Sequence, residues 1–232
     1  MTPSIRVAFL AVALVVSLAA GASTPPKQLH VAVVGDSLAF GEGDETGKGI
    51  AGRIEPELRS RGVGSVLTTN LGVTGATTHD VVARLRQPAT KTALARADAI
   101  VLSVGANDLR YPLDSENRVR SPLLIVDQAL RNLDTIVAEM HRINPEARIF
   151  ILGAYAPLAH ERAAVLLEPL VAMWDTMLAT RFASNSRVSV VRLSDIVNRP
   201  DRLSTIDSFH PGGEAYQETA RRIADLLAAR PS

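Results

Sequence analysis

The 232-residue chain contains no cysteine, has almost no excess of either charge and has few aromatic residues. Without cysteine there is no disulfide framework, no thiolate metal site and no cysteine nucleophile. Lys and Arg number 25 against 24 for Asp and Glu. No segment carries a basic block, which argues against a nucleic-acid partner because phosphate binding needs a concentrated positive face. Aromatic residues make up 4% of the chain, so no sugar-stacking platform is evident. The hydrophobic content of 47% suits a packed α/β domain.

The first 22 residues carry the three-part pattern of a secretory signal peptide. Arg6 precedes the apolar run Val7–Leu18, and the small residues Ala20 and Ala22 stand at the −3 and −1 positions of a cleavage site. The run is shorter than the ~20 apolar residues that span a bilayer, although retention as an anchor is the alternative. We therefore predict an exported protein, secreted or periplasmic, with no membrane span after cleavage.

Residues 23–28 predict a proline-rich linker, and residues 29–232 are typical of one domain. Five apolar, β-branched runs predict strands: Leu29–Gly35, Ser65–Leu71, Ala99–Gly105, Arg148–Gly153 and Val188–Leu193. Their nearly continuous apolar character is typical of strands buried on both faces of a parallel sheet. Helical patterns alternate with them: Gly49–Arg61, His79–Arg96, Pro122–Ile143, His160–Ala183 and Gly212–Arg230. The alternation predicts an α/β fold in three layers, with a doubly wound five-stranded parallel sheet between helices.

Polar and glycine residues follow the strands at the edge where such a sheet binds its ligands. The segments are Gly35–Leu38, Gly72–Gly75, Ala106–Asp108 and, near the C-terminus, Asp207–Pro211. They supply a hydroxyl, a glycine turn, an amide and a carboxylate–imidazole pair. These are the components of serine acyl transfer: a nucleophile, oxyanion donors, and a base with the group that orients it.

The chemistry accounts for each residue type. Ser37 is a weak nucleophile by itself and needs an imidazole to take its proton. Asp207 stands three residues before His210, close enough to hold the imidazole in one tautomer. Glycine permits close approach of the backbone, and the Asn107 amide can reach from the third strand toward an oxyanion. Pro211 suits the first position of the last helix.

The same residues resemble the four blocks of the SGNH (GDSL) hydrolase superfamily. The blocks are GDSL at Gly35–Leu38, Gly75 within NLGVTGATT, GAND at Gly105–Asp108 and DSFHP at Asp207–Pro211, in the order of the family. They span nearly the whole chain after the signal segment. The resemblance implies a flavodoxin-like fold and the hydrolysis of esters or thioesters without a metal or an organic cofactor.

Matching the blocks residue by residue implies a role for each one. Ser37 resembles the nucleophile, with His210 as its base and Asp207 as the group that orients His210. The Ser37 N–H, the Gly75 N–H and the Asn107 side chain resemble the oxyanion hole. Ala76 departs from the family, which often has a polar residue there, so one supporting hydrogen bond is in doubt.

Each of these residues also has a structural alternative. Ser37 could cap the helix after the first strand, and Asn107 with Asp108 could simply form a turn. We interpret Asp36 and Asp108 as structural groups that hydrogen-bond to loop backbone. The glycine pattern Gly47–Gly52 matches a dinucleotide-binding motif, but it does not follow a strand directly and lacks the acidic residue that binds ribose.

Other residues bear on the substrate and on metal binding. We interpret His30, His141 and His160 as having no role as metal ligands, while His79 could border the cleft. The loop Arg110–Ser121 is in a place where loops often determine specificity. Met173, Trp174 and Met177 lie on a helical pattern that is more often core than acyl channel: these three residues are predicted to be buried.

The predicted substrate is a small-molecule or lipid acyl ester, as for an esterase or a lysophospholipase. A carbohydrate O-acetylesterase is the alternative within the enzyme class. Outside hydrolysis, the chain could be an acyltransferase that uses an alcohol acceptor, or a protein that only binds glycans or lipids. An acyltransferase would have to exclude water from its acyl-enzyme. The number of subunits is left open by the sequence.

Overall fold

The computed structural model describes residues 28–110, 121–157 and 161–229, without the side chains of residues 110 and 161–167. The predicted signal peptide at residues 1–22 and nearly all of the linker at residues 23–28 lie outside the described residues. The same is true of most of the loop Arg110–Ser121. No helix in the described ranges is long and apolar enough to cross a bilayer.

Five parallel strands form one sheet in the order β2–β1–β3–β4–β5. They are β1 (Gln28–Gly35), β2 (Ser65–Gly72), β3 (Ala99–Ser103), β4 (Arg148–Leu152) and β5 (Val188–Val191). In the centre of the sheet, Val33 of β1 pairs with Asn70 of β2 and with Val101 of β3. The chain leaves β1 first toward β2 and later returns to β3 on the other side. The carboxyl ends of β1 and β3 therefore border the crevice at which such sheets bind ligands.

Eight α-helices accompany the sheet in the described part of the chain. They are α1 (Ser37–Phe40), α2 (Gly49–Ser60), α3 (Thr78–Arg84), α4 (Pro88–Arg96), α5 (Pro122–Ile143), α6 (Glu161–Phe182), α7 (Ser194–Val197) and α8 (Gly213–Ala228). The four helices α3–α6 cover one face of the sheet, and α2, α7 and α8 cover the other. This arrangement confirms the predicted three-layer α/β fold.

Successive strand residues supply the two cores in turn, because side chains alternate across a sheet. In β1, Val31 and Val33 pack with α2 and α8, whereas Ala32 and Val34 pack with α3, α4 and α5. The strands β3 and β4 follow the same rule. Burial on both faces explains why these strands are apolar without interruption.

Two predicted helix boundaries are wrong, both near a proline. The predicted helix His79–Arg96 is two helices, since Pro88 cannot continue a helix and the preceding Gln87 is extended, with φ −71° and ψ 136°. Pro211 is not the first helical residue of α8, which begins at Gly213. Pro211 instead forms an isolated antiparallel β-bridge with Leu203.

Candidate active site

Ser37 lies at the turn from β1 into α1. Gly35 ends β1 with a φ of +137°, and a Cβ there would stand 1.8 Å from the Ser103 carbonyl oxygen, so the turn requires glycine. Asp36 Oδ1 accepts hydrogen bonds from the Leu38 N–H (3.1 Å) and the Ser103 hydroxyl (2.7 Å). Asp36 is therefore the N-cap of α1. The alternative that Ser37 caps this helix is wrong, and its hydroxyl has a different partner.

Asp36 is a buried carboxyl directly beside Ser37, with 4% of its surface exposed. Burial raises its pKa to about 6, although hydrogen bonds from Ser103 and Leu38 act in the opposite direction. Its hydrogen bonds join the end of β1 to the end of β3. The carboxyl thus holds the turn that carries Ser37 at a cost in desolvation.

Asp207 and His210 lie on the loop between α7 and α8. Asp207 Oδ1 accepts hydrogen bonds from the backbone N–H groups of Phe209 and His210, each at 2.9 Å. This tight turn places Ser208 in the left-handed region, with a φ of +51°. The backbone of the loop therefore orients the Asp207 carboxylate toward the His210 ring.

The three side chains form one hydrogen-bonded relay. The Ser37 Oγ lies 3.0 Å from His210 Nε2, and His210 Nδ1 lies 2.6 Å from Asp207 Oδ2. Burial raises the pKa of Asp207, but hydrogen bonds from the His210 ring and from backbone N–H groups outweigh it and hold the pKa below its usual value. An ionised carboxylate only accepts, so Nδ1 carries the proton and Nε2 is free to accept from Ser37.

Gly75 and Asn107 line the same cavity as this relay. Gly75 has a φ of +78°, and a Cβ on it would meet no atom within 4 Å. Asn107 is buried, and its Nδ2 donates a hydrogen bond to the Ala76 carbonyl at 3.0 Å. The contact turns the Asn107 amide nitrogen toward the Gly75–Ala76 segment. The backbone carbonyl of residue 76 therefore orients Asn107. This contact does not require the polar side chain that the family often has at that position.

Asp108 secures the segment that carries Asn107. Its two carboxylate oxygens accept hydrogen bonds from the Thr78 N–H (3.0 Å) and the Thr78 hydroxyl (2.5 Å), at the start of α3. The Asn132 side chain of α5 in turn donates to the Thr78 hydroxyl at 2.8 Å. Asp108 thus makes the backbone hydrogen bond predicted from the sequence and joins the segment after β3 to the start of α3.

The cavity around the relay has a volume of about 740 Å³. Its wall beyond β3 and β4 is largely apolar and is formed by Val104, Leu152, Ala154, Tyr155, Pro157 and Trp174. On the side of β2 the lining residues are polar: Glu42 and Thr74 flank Gly75. The cavity therefore joins an apolar region and a polar region across the Ser37 hydroxyl.

The prediction that Met173, Trp174 and Met177 are buried is wrong for Met173, which is 47% exposed. Trp174 is partly buried, and its ring lies between the core and the cavity. The helical pattern favoured core, and its ring does pack against the core formed by α5 and α6. The same ring also lines the cavity. A Cβ on Gly105 would stand 2.7 Å from Trp174 Cζ2, and the neighbouring Asp175 Oδ1 accepts the Ala154 N–H at 3.0 Å. These two contacts fix α6 against the ends of β3 and β4.

Two aromatic lining residues were missed by the sequence analysis. Tyr155 lies in the loop after β4 and donates its hydroxyl hydrogen to the Phe209 carbonyl at 3.1 Å. The Phe209 ring meets the His210 ring edge-on, with centroids 5.0 Å apart. Their positions, three residues after β4 and one before His210, were the available signal. Tyr155 thereby ties the β4 loop to the loop of Asp207 and His210.

The remaining candidates lie apart from the cavity. His79 is exposed on α3, and it is not among the lining residues. The glycine pattern Gly47–Gly52 leads into α2, where Asp44 accepts the Gly49 N–H and forms a buried ion pair with Arg53. Within the described ranges, no group of three His, Asp or Glu residues is arranged to hold a metal ion.

Comparisons with known proteins agree with this fold. Residues 33–218 match the model of the GDSL-like lipase/acylhydrolase family. Over 210 residues the chain is 26% identical to the uncharacterized protein YpmR of Bacillus subtilis, covering 87% of this chain and 82% of YpmR.

Solved structures show the same fold at low sequence identity. A lipase from a goat rumen metagenome, Lip_vut3, has a TM-score of 0.74 and 18% identity, covering 88% of this chain and all of that one. A family 3 carbohydrate esterase of Clostridium thermocellum has a TM-score of 0.62 and 18% identity, with the same coverage. The family match takes in the sequence blocks that carry Ser37, Gly75, Asn107 and His210. The chain belongs to the GDSL-like lipase/acylhydrolase family of SGNH hydrolases.

Proposed function

We propose that the protein is a serine hydrolase that cleaves carboxylic esters or thioesters. The relay from Ser37 through His210 to Asp207 carries this proposal, with distances of 3.0 and 2.6 Å. A hydroxyl, an imidazole and a carboxylate in this sequence of contacts can generate a nucleophile at neutral pH.

The first half of the reaction transfers the acyl group to Ser37. Its Oγ attacks the carbonyl carbon while His210 Nε2 takes the hydroxyl proton. The carbonyl oxygen becomes an oxyanion, toward which the N–H groups of Ser37 and Gly75 and the Asn107 amide donate. The C–O or C–S bond then breaks, and His210 gives its proton to the leaving alcohol or thiol.

The second half releases the acid. Water attacks the acyl-Ser37 ester as His210 takes one of its protons, and a second oxyanion forms in the same place. Its collapse returns the proton to the Ser37 oxygen and frees the carboxylic acid. Asp207 stays ionised throughout and stabilises the imidazolium form of His210 in both halves.

We assign the substrate to lipid-like or short-chain acyl esters and thioesters, as for an esterase or lysophospholipase. The apolar wall of Leu152, Pro157 and Trp174 supports this class, because an acyl chain loses its contact with water there. A carbohydrate O-acetylesterase needs little apolar wall, since an acetyl group is small. Export through the N-terminal segment, to the periplasm or out of the cell, is also part of this proposal.

The proposal is tested by hydrolysis of p-nitrophenyl esters from acetyl to decanoyl. We expect kcat of Ser37→Ala to be lower by at least about 10³-fold, as in other serine hydrolases that lose the nucleophile. Ser65→Ala, at the start of β2, is the matched control and should keep the wild-type rate. Equal activity of Ser37→Ala and wild type would refute the proposed nucleophile. Activity on the acetyl ester alone would favour the O-acetylesterase alternative.

A further inference from the structure

Glu42 has a fixed position beside the nucleophile. Its N–H donates to the Ser37 carbonyl at 2.9 Å, and its own carbonyl accepts the Tyr216 hydroxyl at 2.7 Å. The Glu42 side chain is half-buried and lines the cavity. Its Oε2 accepts a hydrogen bond from the Thr74 hydroxyl at 2.7 Å. Ser37 and Tyr216 therefore hold the Glu42 backbone, while Thr74 holds its carboxylate at the cavity wall.

Glu42 and Thr74 lie across Ser37 from the apolar wall. Thr74 follows β2 and directly precedes Gly75, whereas Trp174 closes the side of β3 and β4. An ester has an acyl part and an alcohol or thiol part, which leave the reacting carbon in different directions. If the acyl chain takes the apolar side, the leaving group faces Glu42.

Among the cavity-lining residues that the structure describes, the charged side chains beside His210 are all carboxylates. The carboxylates are Asp36, Glu42 and Asp207, and none of the described lining residues is Lys or Arg. The other ionisable lining residues are His210 and Tyr155. Asp36 and Asp207 are both occupied by hydrogen bonds within the site. Glu42 is the carboxylate that belongs to neither the relay nor the turn of Ser37. A charge in a cleft with low-dielectric walls acts on ligands more strongly than one at an open surface.

We propose that Glu42, held by Thr74, determines leaving-group specificity, favouring cationic or neutral hydroxylated alcohols and thiols over anionic ones. This inference rests on the proposed hydrolase function. It places esters of choline-like or polyhydroxy alcohols among the preferred substrates. Thioesters whose thiol carries phosphates, as coenzyme A does, are disfavoured because their negative charge approaches the Glu42 carboxylate.

The test uses three butyryl thioesters that differ in the charge of the thiol. They are butyrylthiocholine (cationic), S-ethyl thiobutyrate (neutral) and the butyryl thioester of mercaptoethanesulfonate (anionic), and a disulfide reagent detects each released thiol. Values of kcat/KM are divided by that of the neutral thioester, and each variant is compared with wild type. This comparison cancels the different intrinsic reactivities of the three thiols.

We expect Glu42→Gln to lower the cation-to-anion ratio of kcat/KM by about 25-fold, roughly fivefold from each charge. In wild type the same ratio should shrink at high salt, because ions screen the carboxylate. The matched control is Glu146→Gln, which removes one negative charge just before β4, at the opposite edge of the sheet. It should leave the ratio unchanged.

The outcomes separate this inference from the proposed function. An unchanged ratio in Glu42→Gln, or an equal loss on all three thioesters, would overturn the role of Glu42 in specificity. A ratio that falls equally in Glu146→Gln would point to net charge and would overturn it as well. If Ser37→Ala cleaves the neutral thioester as fast as wild type, the proposed hydrolase mechanism fails first, and this inference fails with it.

Discussion

Asp36 offers a prediction in which stability depends on pH in a direction unusual for a carboxyl. Replacing it by Asn keeps an oxygen where Oδ1 accepts from Leu38 and Ser103. The change removes the charge that burial disfavours. The new amide N–H groups add a cost or a gain that does not depend on pH. The pH-dependent part of the effect is therefore the part to measure.

The sign and the size follow from the pKa. In the folded protein the pKa of Asp36 is about 6, against the ordinary aspartic-acid value of 3.8 that applies in the unfolded chain. Below pH 3.8 the carboxyl is protonated in both states, so its charge costs nothing. Between 3.8 and 6 the folded state binds more protons, and wild type loses stability as the pH rises. Above pH 6 the loss is complete and amounts to about 3 kcal/mol.

Asp36→Asn lacks this loss. Its free energy of unfolding, relative to wild type, should therefore increase by about 2.5 kcal/mol between pH 4 and pH 8, most of the full difference. For a domain of this size that corresponds to about 5–10 °C in melting temperature. Urea denaturation at several pH values, followed by far-ultraviolet circular dichroism, measures the difference.

Asp80→Asn is the matched control, since Asp80 also lies in the first turn of a helix. Hydrogen bonds from Thr77 hold the pKa of Asp80 below its usual value. Its contribution is present above the unfolded pKa and is lost as the pH falls, so Asp80→Asn should be least stable relative to wild type at high pH. A difference between Asp36→Asn and wild type that stays constant or decreases with pH would refute the burial argument.

Two further predictions concern catalysis and chain length. Asn107→Ala should lower kcat by about 10²–10³-fold, as for the loss of one oxyanion donor; an unchanged kcat in steady-state assays would remove Asn107 from the mechanism. Trp174→Ala should move the preferred p-nitrophenyl ester toward longer acyl chains, because the indole ring borders the apolar side of the cavity. A chain-length profile that coincides with that of wild type would show that Trp174 does not limit the acyl group.

The chain by itself determined the class of fold and the order of its parts. Strands that are buried on both faces must be apolar throughout, so β1, β3 and β4 are visible as continuous runs such as Ala99–Ser103. Turn geometry is local too, since Gly35 with Asp36 marks the end of β1. Asp207 and His210 could be paired from sequence because they are three positions apart, and His210 Nδ1 lies 2.6 Å from Asp207 Oδ2.

Interactions between distant segments could be decided only by the tertiary structure. The buried carboxyl of Asp36 has a second hydrogen-bond donor in Ser103, 67 residues later in the chain. Trp174 and Tyr155 line the cavity because α6 and the β4 loop pack against the ends of β3 and β4. The Glu42 carboxylate lies at the cavity wall because it accepts a hydrogen bond from Thr74, in the loop that follows β2. Periodicity reveals which side of one element is apolar, but the residue that meets it depends on the packing of the whole sheet.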